Sequence, residues 1–104
     1  MKYKINLNQI PNQEGSFNIT EPNGTVHRCD FSLRLLTDDS MCITLTIDDD
    51  TICQSKKCIN KMPLVLNNKI KGNIYFLDIY GNTNPDFSKF NERYYLIYDT
   101  DYIL

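Results

Sequence analysis

Four cysteines, one histidine and a run of three aspartates are the side chains of this 104-residue chain best suited to metal or nucleophile chemistry. Cys53 and Cys58 are separated by four residues, and Cys29 follows His27 by two. Thiolate pairs two to four residues apart are usual in structural zinc sites. Here the spacing lies at the loose edge of that range, and no second paired motif completes a set of four ligands. Cys53 and Cys58 are therefore weak candidates for zinc, and equally for a disulfide, which a reducing cytosol would oppose. Cys29 falls on the apolar side of its segment, where a free thiol packs as a small hydrophobe. Idle or buried thiols are the favoured reading for Cys29, Cys42, Cys53 and Cys58.

His27 limits catalysis. Any Ser-His-Asp or Cys-His chemistry must use this one imidazole, and no nucleophile elbow surrounds it. An enzyme pairing it with a cysteine would need a reactive, low-pKa thiol. A turn or strand histidine with satisfied hydrogen bonds is the simpler expectation. Asp48-Asp49-Asp50 lacks the spaced oxygen ligands and the glycine of a calcium loop and reads as an acidic hairpin corner, as does Asp38-Asp39. Gly72 belongs to no phosphate-cradling run. No catalytic residue, metal site or cofactor follows, and the chain reads as a non-enzyme.

The tyrosines stand out more. Of seven, Tyr94, Tyr95, Tyr98 and Tyr102 cluster near the end, and Tyr75 and Tyr80 bracket an apolar run. Tyrosine offers a large amphipathic surface and is enriched at interfaces. Adjacent Tyr94 and Tyr95 must face opposite sides of a strand, so one can be core while the other meets water or a neighbour. Tyr75, Tyr80, Tyr94, Tyr95 and Tyr98 are the partner-contact candidates.

These residues sit in a chain long enough for one domain, residues 1–104, that folds without staples. A formal charge of −2 gives no support for nucleic-acid binding, which needs a basic face. No segment approaches the ~20 apolar residues of a membrane span. Met1-Lys2-Tyr3-Lys4-Ile5-Asn6 has basic residues with no apolar stretch behind them, so no signal peptide is expected, and the chain reads as intracellular at synthesis.

The elements are read from a two-residue period. Cys29, Phe31, Leu33 and Leu35 alternate with polar residues, as do Met41, Ile43, Leu45 and Ile47, and Thr37-Asp38-Asp39-Ser40 joins them as a hairpin loop. Tyr3 to Asn8 predicts an opening strand, closed by Ile10-Pro11-Asn12-Gln13. Ser16 to Thr20 predicts another, ended by the Glu21-Pro22-Asn23-Gly24 turn. Short strands are expected at Thr51 to Cys53 and Met62 to Leu66. A nearly continuous apolar strand is expected at Ile74 to Tyr80, and a last one at Tyr94 to Tyr98. Only Asp86 to Glu92 suits a helical turn. About seven short strands imply an all-β fold, a small antiparallel barrel or sandwich.

The ordered set Ile10-Pro11-Asn12-Gln13, the Phe31 to Ile47 hairpin, Pro63-Leu64-Val65, Gly72-Asn73-Ile74, the Gly81 to Pro85 turn and Arg93-Tyr94-Tyr95-Leu96-Ile97-Tyr98 resembles the baseplate plug family of contractile-tailed bacteriophages, over residues 3–100. The chain departs from that pattern at Met41 and Cys42, where an aromatic is common, and at Asp48-Asp49-Asp50-Thr51, where a glycine turn is common. The resemblance implies a structural virion subunit in the tail baseplate, without catalytic site or cofactor. It would bind hub, spike and tube-end proteins and join a ring or homo-oligomeric assembly. The alternative from another class is a small intracellular β-barrel that binds a ligand or single-stranded nucleic acid, whose affinity would depend on salt.

Overall fold

The computed structural model describes residues 1–104. Its strands are β1 (Lys2–Ile5), β2 (Gln13–Thr20), β3 (Val26–Leu35), β4 (Met41–Ile47), β5 (Asp50–Lys57), β6 (Asn73–Asp78) and β7 (Tyr94–Asp99), with one 3-10 turn at Phe87–Lys89. They form two antiparallel sheets. β2-β3-β4-β5 is a four-stranded meander, and β1-β7-β6 is a three-stranded sheet built from both ends of the chain. The barrel-or-sandwich expectation resolves as a sandwich of open sheets.

Alternation works as expected in the central hairpin. Cys29, Phe31 and Leu33 point inward opposite Ile47, Leu45 and Ile43, and all six are buried. Leu36 and Ser40 close its loop through a 2.8 Å main-chain bond, with Asp39 at φ 66°. The aspartate run is explained by the next turn. Asp48 (φ 51°) and Asp49 (φ 66°) both take the left-handed conformation between paired Ile47 and Asp50. Two consecutive left-handed residues fit the twist of a two-residue hairpin, and Asp tolerates that region better than most side chains. The predicted Glu21-Pro22-Asn23-Gly24 turn is closed by the Gly24 N–H donating to the Glu21 carbonyl at 2.8 Å.

A single apolar cluster fills the space between the sheets. It includes Ile19, Cys29, Leu33, Ile43 and Leu45 from the meander and Ile5, Ile74, Phe76, Leu96 and Tyr98 from the other sheet. Gly15 belongs to this layer too. A Cβ there would lie 2.9 Å from Cε1 of Phe31, its cross-strand partner, so the ring of Phe31 takes the place of the missing side chain.

Several boundaries differ from the sequence expectation, and most differ for one reason. Side-chain amides stand in for strand partners. Asn91 donates to the Leu7 carbonyl, and Gln13 both donates to the Asn8 carbonyl (2.7 Å) and accepts from the Asn8 N–H (3.0 Å). β1 therefore stops at Ile5 instead of Asn8, and β2 starts early, at Gln13. Fully buried Asn73 does the same for Val65, accepting from its N–H at 2.9 Å and donating to its carbonyl at 2.6 Å. So Met62 to Leu66 is not a strand. Leu64 and Val65 are core, but they belong to a loop held by this amide and by one main-chain bond to Ile74. The expected Thr51 to Cys53 strand is longer, reaching Lys57. β6 ends at Asp78, short of Tyr80. At Gly72 (φ 82°) a Cβ would collide with the Asp99 carbonyl and lie 2.7 Å from Cα of Thr100, so only glycine passes there.

Candidate functional site

The chemistry-bearing residues do not converge. All four cysteines are free thiols, and Cys53 and Cys58 are not joined. Burial pushes the thiols of Cys53 and Cys58 up, and Cys29 rises to about 12 for the same reason. A protonated, buried thiol is a poor nucleophile and a poor metal ligand. No group of three or more His, Cys, Asp or Glu side chains is arranged to hold a metal ion.

His27 is engaged structurally. Its Nδ1 lies 2.5 Å from Oδ2 of Asp48, and its Nε2 lies 2.6 Å from Oε2 of Glu21. Carboxylates on both nitrogens favour the doubly protonated imidazolium, which alone can donate to each. The Asp48 contact, then the Glu21 contact, raises its pKa, while both acids are lowered chiefly by the same bonds. Glu21 also accepts the Lys71 N–H at 2.7 Å, so the cluster ties the β2–β3 turn, the β4–β5 turn and the loop before β6 together.

The five tyrosine candidates divide by their exposure in the single chain. Tyr75, Tyr94 and Tyr98 are buried, with 5%, 6% and 1% exposure. Their hydroxyls bond inside the chain, to Asp99 (2.8 Å), Thr83 (2.7 Å) and the Lys71 carbonyl (2.6 Å) respectively. Desolvation carries the phenols of Tyr75 and Tyr98 up to about 12. These three are packing residues, because their rings face the core or a neighbouring loop. Tyr95 is half-buried, with Lys4 Nζ 4.3 Å above its ring. Tyr80 projects, 75% exposed, beside Ile79 at 45%.

What holds Tyr80 out is a buried carboxylate that the sequence did not reveal. Asp78 accepts from Arg93 Nε (2.9 Å) and Nη2 (3.0 Å), from the Tyr80 N–H (3.0 Å), and from both the N–H (3.0 Å) and the hydroxyl (2.9 Å) of Thr83. Arg93 in turn lies over the ring of Tyr94, 5.2 Å from its centre. The Asp78 carboxyl is held well below the usual carboxylate range, first by Arg93 and then by the loop donors. The loop carrying Ile79 and Tyr80 is thus set in one shape, as suits an anchor that must not lose freedom on binding.

A second surface also escapes the sequence reading. Tyr3, Ile5, Phe17, Ile19 and Tyr98 form the apolar floor of a cleft of about 780 Å³ between β1 and β2. Tyr3 stacks on Tyr98 with ring centres 6.2 Å apart. The alternation of Tyr3 with Lys2 and Lys4 is the one local signal of it.

This arrangement is a rigid β-sandwich with an apolar tip and an apolar cleft. A family model described as cyanophage baseplate Pam3 plug gp18 matches residues 2–101. The chain belongs to that family. It is a structural protein of the bacteriophage tail baseplate, of the plug type, and the expected resemblance holds across nearly the whole chain. No curated protein matches it. No helix of this plug-family chain is long and apolar enough to cross a membrane.

Proposed function

We propose that this baseplate plug protein acts by protein–protein binding, as a rigid body packed among the hub, spike and tube-end components and repeated in a ring. The observation that carries this reading is the Asp78-braced loop, which presents Ile79 and Tyr80 to solvent in a fixed conformation. Aromatic anchors of this kind dominate interface energetics when they enter a partner's pocket. Tyr95, on the outer side of β7, is the second contact candidate.

The test is quantitative mass spectrometry of purified phage tails. A fixed copy number of this chain per baseplate is expected and would give the ring symmetry. Particles without it, with the protein free in infected cells, would sink the proposal.

A further inference from the structure

The two sheets have four edge strands, and the chain treats them differently. β6 is covered by the preceding loop. The Lys61 N–H donates to the Phe76 carbonyl at 2.7 Å, the Leu64 N–H to the Ile74 carbonyl at 2.9 Å, and the Asp78 N–H to Asn60 Oδ1 at 2.8 Å. β5 is irregular, with register shifts opposite β4, Ser55 at φ 48°, and Lys56 and Lys57 at its end. Bulges and lysines are usual protections against strand addition. β1 carries Lys2 and Lys4 but has neither a bulge nor a covering loop, and β2 has no lysine, bulge or covering loop. β1 pairs only with β7 and β2 only with β3, and no loop main chain bonds to Lys2–Ile5 or Glu14–Thr20. Both open edges border the same cleft.

Lys4 lines the cleft, whose one lining carboxylate, Glu21, is bound to His27. Lys2 and Lys4 lie on the outward face of β1, and no carboxylate is within ion-pair distance of either. Asp99, opposite Lys2 in the β1–β7 ladder, accepts from the Tyr75 hydroxyl, and Asp101 is paired with the N-terminal amine. On the β2 side the outward residues Ser16, Asn18 and Thr20 are neutral, and the outward Glu14 is paired with Arg34.

We propose that this cleft seats an extended segment of another protein, which adds as a strand along β1 and β2 with apolar residues turned onto Tyr3 and Phe17 and acidic residues alternating outward beside Lys2 and Lys4. The main chain of such a segment satisfies donors and acceptors that the edges leave open. Its apolar face covers the aromatic floor, and its carboxylates meet the two lysines that lack an acidic partner. The inference rests on the binding role proposed above and names the partner chemistry of one surface.

The test uses the full chain with two synthetic peptides, one alternating valine and glutamate and one alternating valine and lysine, followed by amide hydrogen exchange. The glutamate peptide is expected to bind and to slow exchange in β1 and β2. The lysine peptide should bind about tenfold more weakly, the worth of two exposed ion pairs. Lys2→Glu together with Lys4→Glu, both on the surface, should reverse that order. Binding of neither peptide, equal binding, or protection confined to other strands would overturn the proposal. The baseplate role stands or falls separately, on the presence of the chain in tails.

Discussion

Arg93 closes a two-point grip on Asp78, its Nε and Nη2 reaching the two carboxylate oxygens at 2.9 and 3.0 Å across the end of the β6–β7 hairpin. Arg93→Ala should lower stability more than the double change Arg93→Ala with Asp78→Asn, because an orphaned charge is worse than a pair removed together. Urea midpoints of the two variants check the order. The lowered carboxyl of Asp78 adds stability that is present above the usual carboxylate range and is lost only as pH falls through its depressed folded value.

A second pH effect comes from His27, whose folded pKa is raised above 6.5. Its contribution is complete below that value and disappears as pH rises through the elevated one. Glu21 and Asp48 are lowered from 4.5 and 3.8, so their contributions appear above those values and are lost as pH falls through the folded ones. The cluster is therefore strongest in mildly acidic solution. Thermal unfolding should show wild-type stability falling as pH rises beyond 6.5, with His27→Gln much flatter over the same range. Identical profiles would refute this.

Thiol labelling separates a structural chain from a Cys-His enzyme. Cys29, Cys42 and Cys58 are buried and Cys53 is half-buried. In native protein Cys53 should react first, and slowly, with the others following only on unfolding. His27→Ala should leave the Cys53 rate unchanged as long as the fold holds. One fast thiol that depends on His27 would contradict the assignment.

Tyr80 and Tyr98 should behave as opposites. Tyr98→Ala empties a core position and is expected to cost about 3–5 kcal/mol, the range for large-to-small aromatic changes. Tyr80→Ala should change stability by no more than about 0.5 kcal/mol, as exposed substitutions usually do. Incorporation into tails, measured against an untouched subunit, should nevertheless drop for Tyr80→Ala. Normal incorporation would remove Tyr80 from the interface.

Much of this fold is legible in the order of residues. The β3–β4 hairpin is legible because Cys29 to Leu35 and Met41 to Ile47 each keep one face apolar, and a period of two matches a half-buried strand and no helix. Tyr94 and Tyr95 divide between inside and outside for the same reason. Asn73, Gln13 and Asn91 are not legible. A primary amide can imitate a peptide group only when the fold brings one to it, and nothing local announces the match. The site is harder still. Asp78 looks like the polar residue of an apolar strand, because its partners Thr83 and Arg93 lie 5 and 15 positions away. Tyr75 and Tyr98 look available for contact, because the residues that cover them come from other segments.

The three-stranded sheet joins Lys2 to Asp99 and Ile5 to Leu96, so its middle strand is the last one in the chain. During synthesis the β2–β5 meander can form from local pairings as soon as Lys57 has left the ribosome. β1 must wait for β7, with a loop of nearly the whole chain still to close. Until then the apolar inner face of the meander is exposed, and a nascent copy on the same message could supply the missing layer. The emergence of β7 is thus the step at which the chain either completes its own core or misassembles with a second copy.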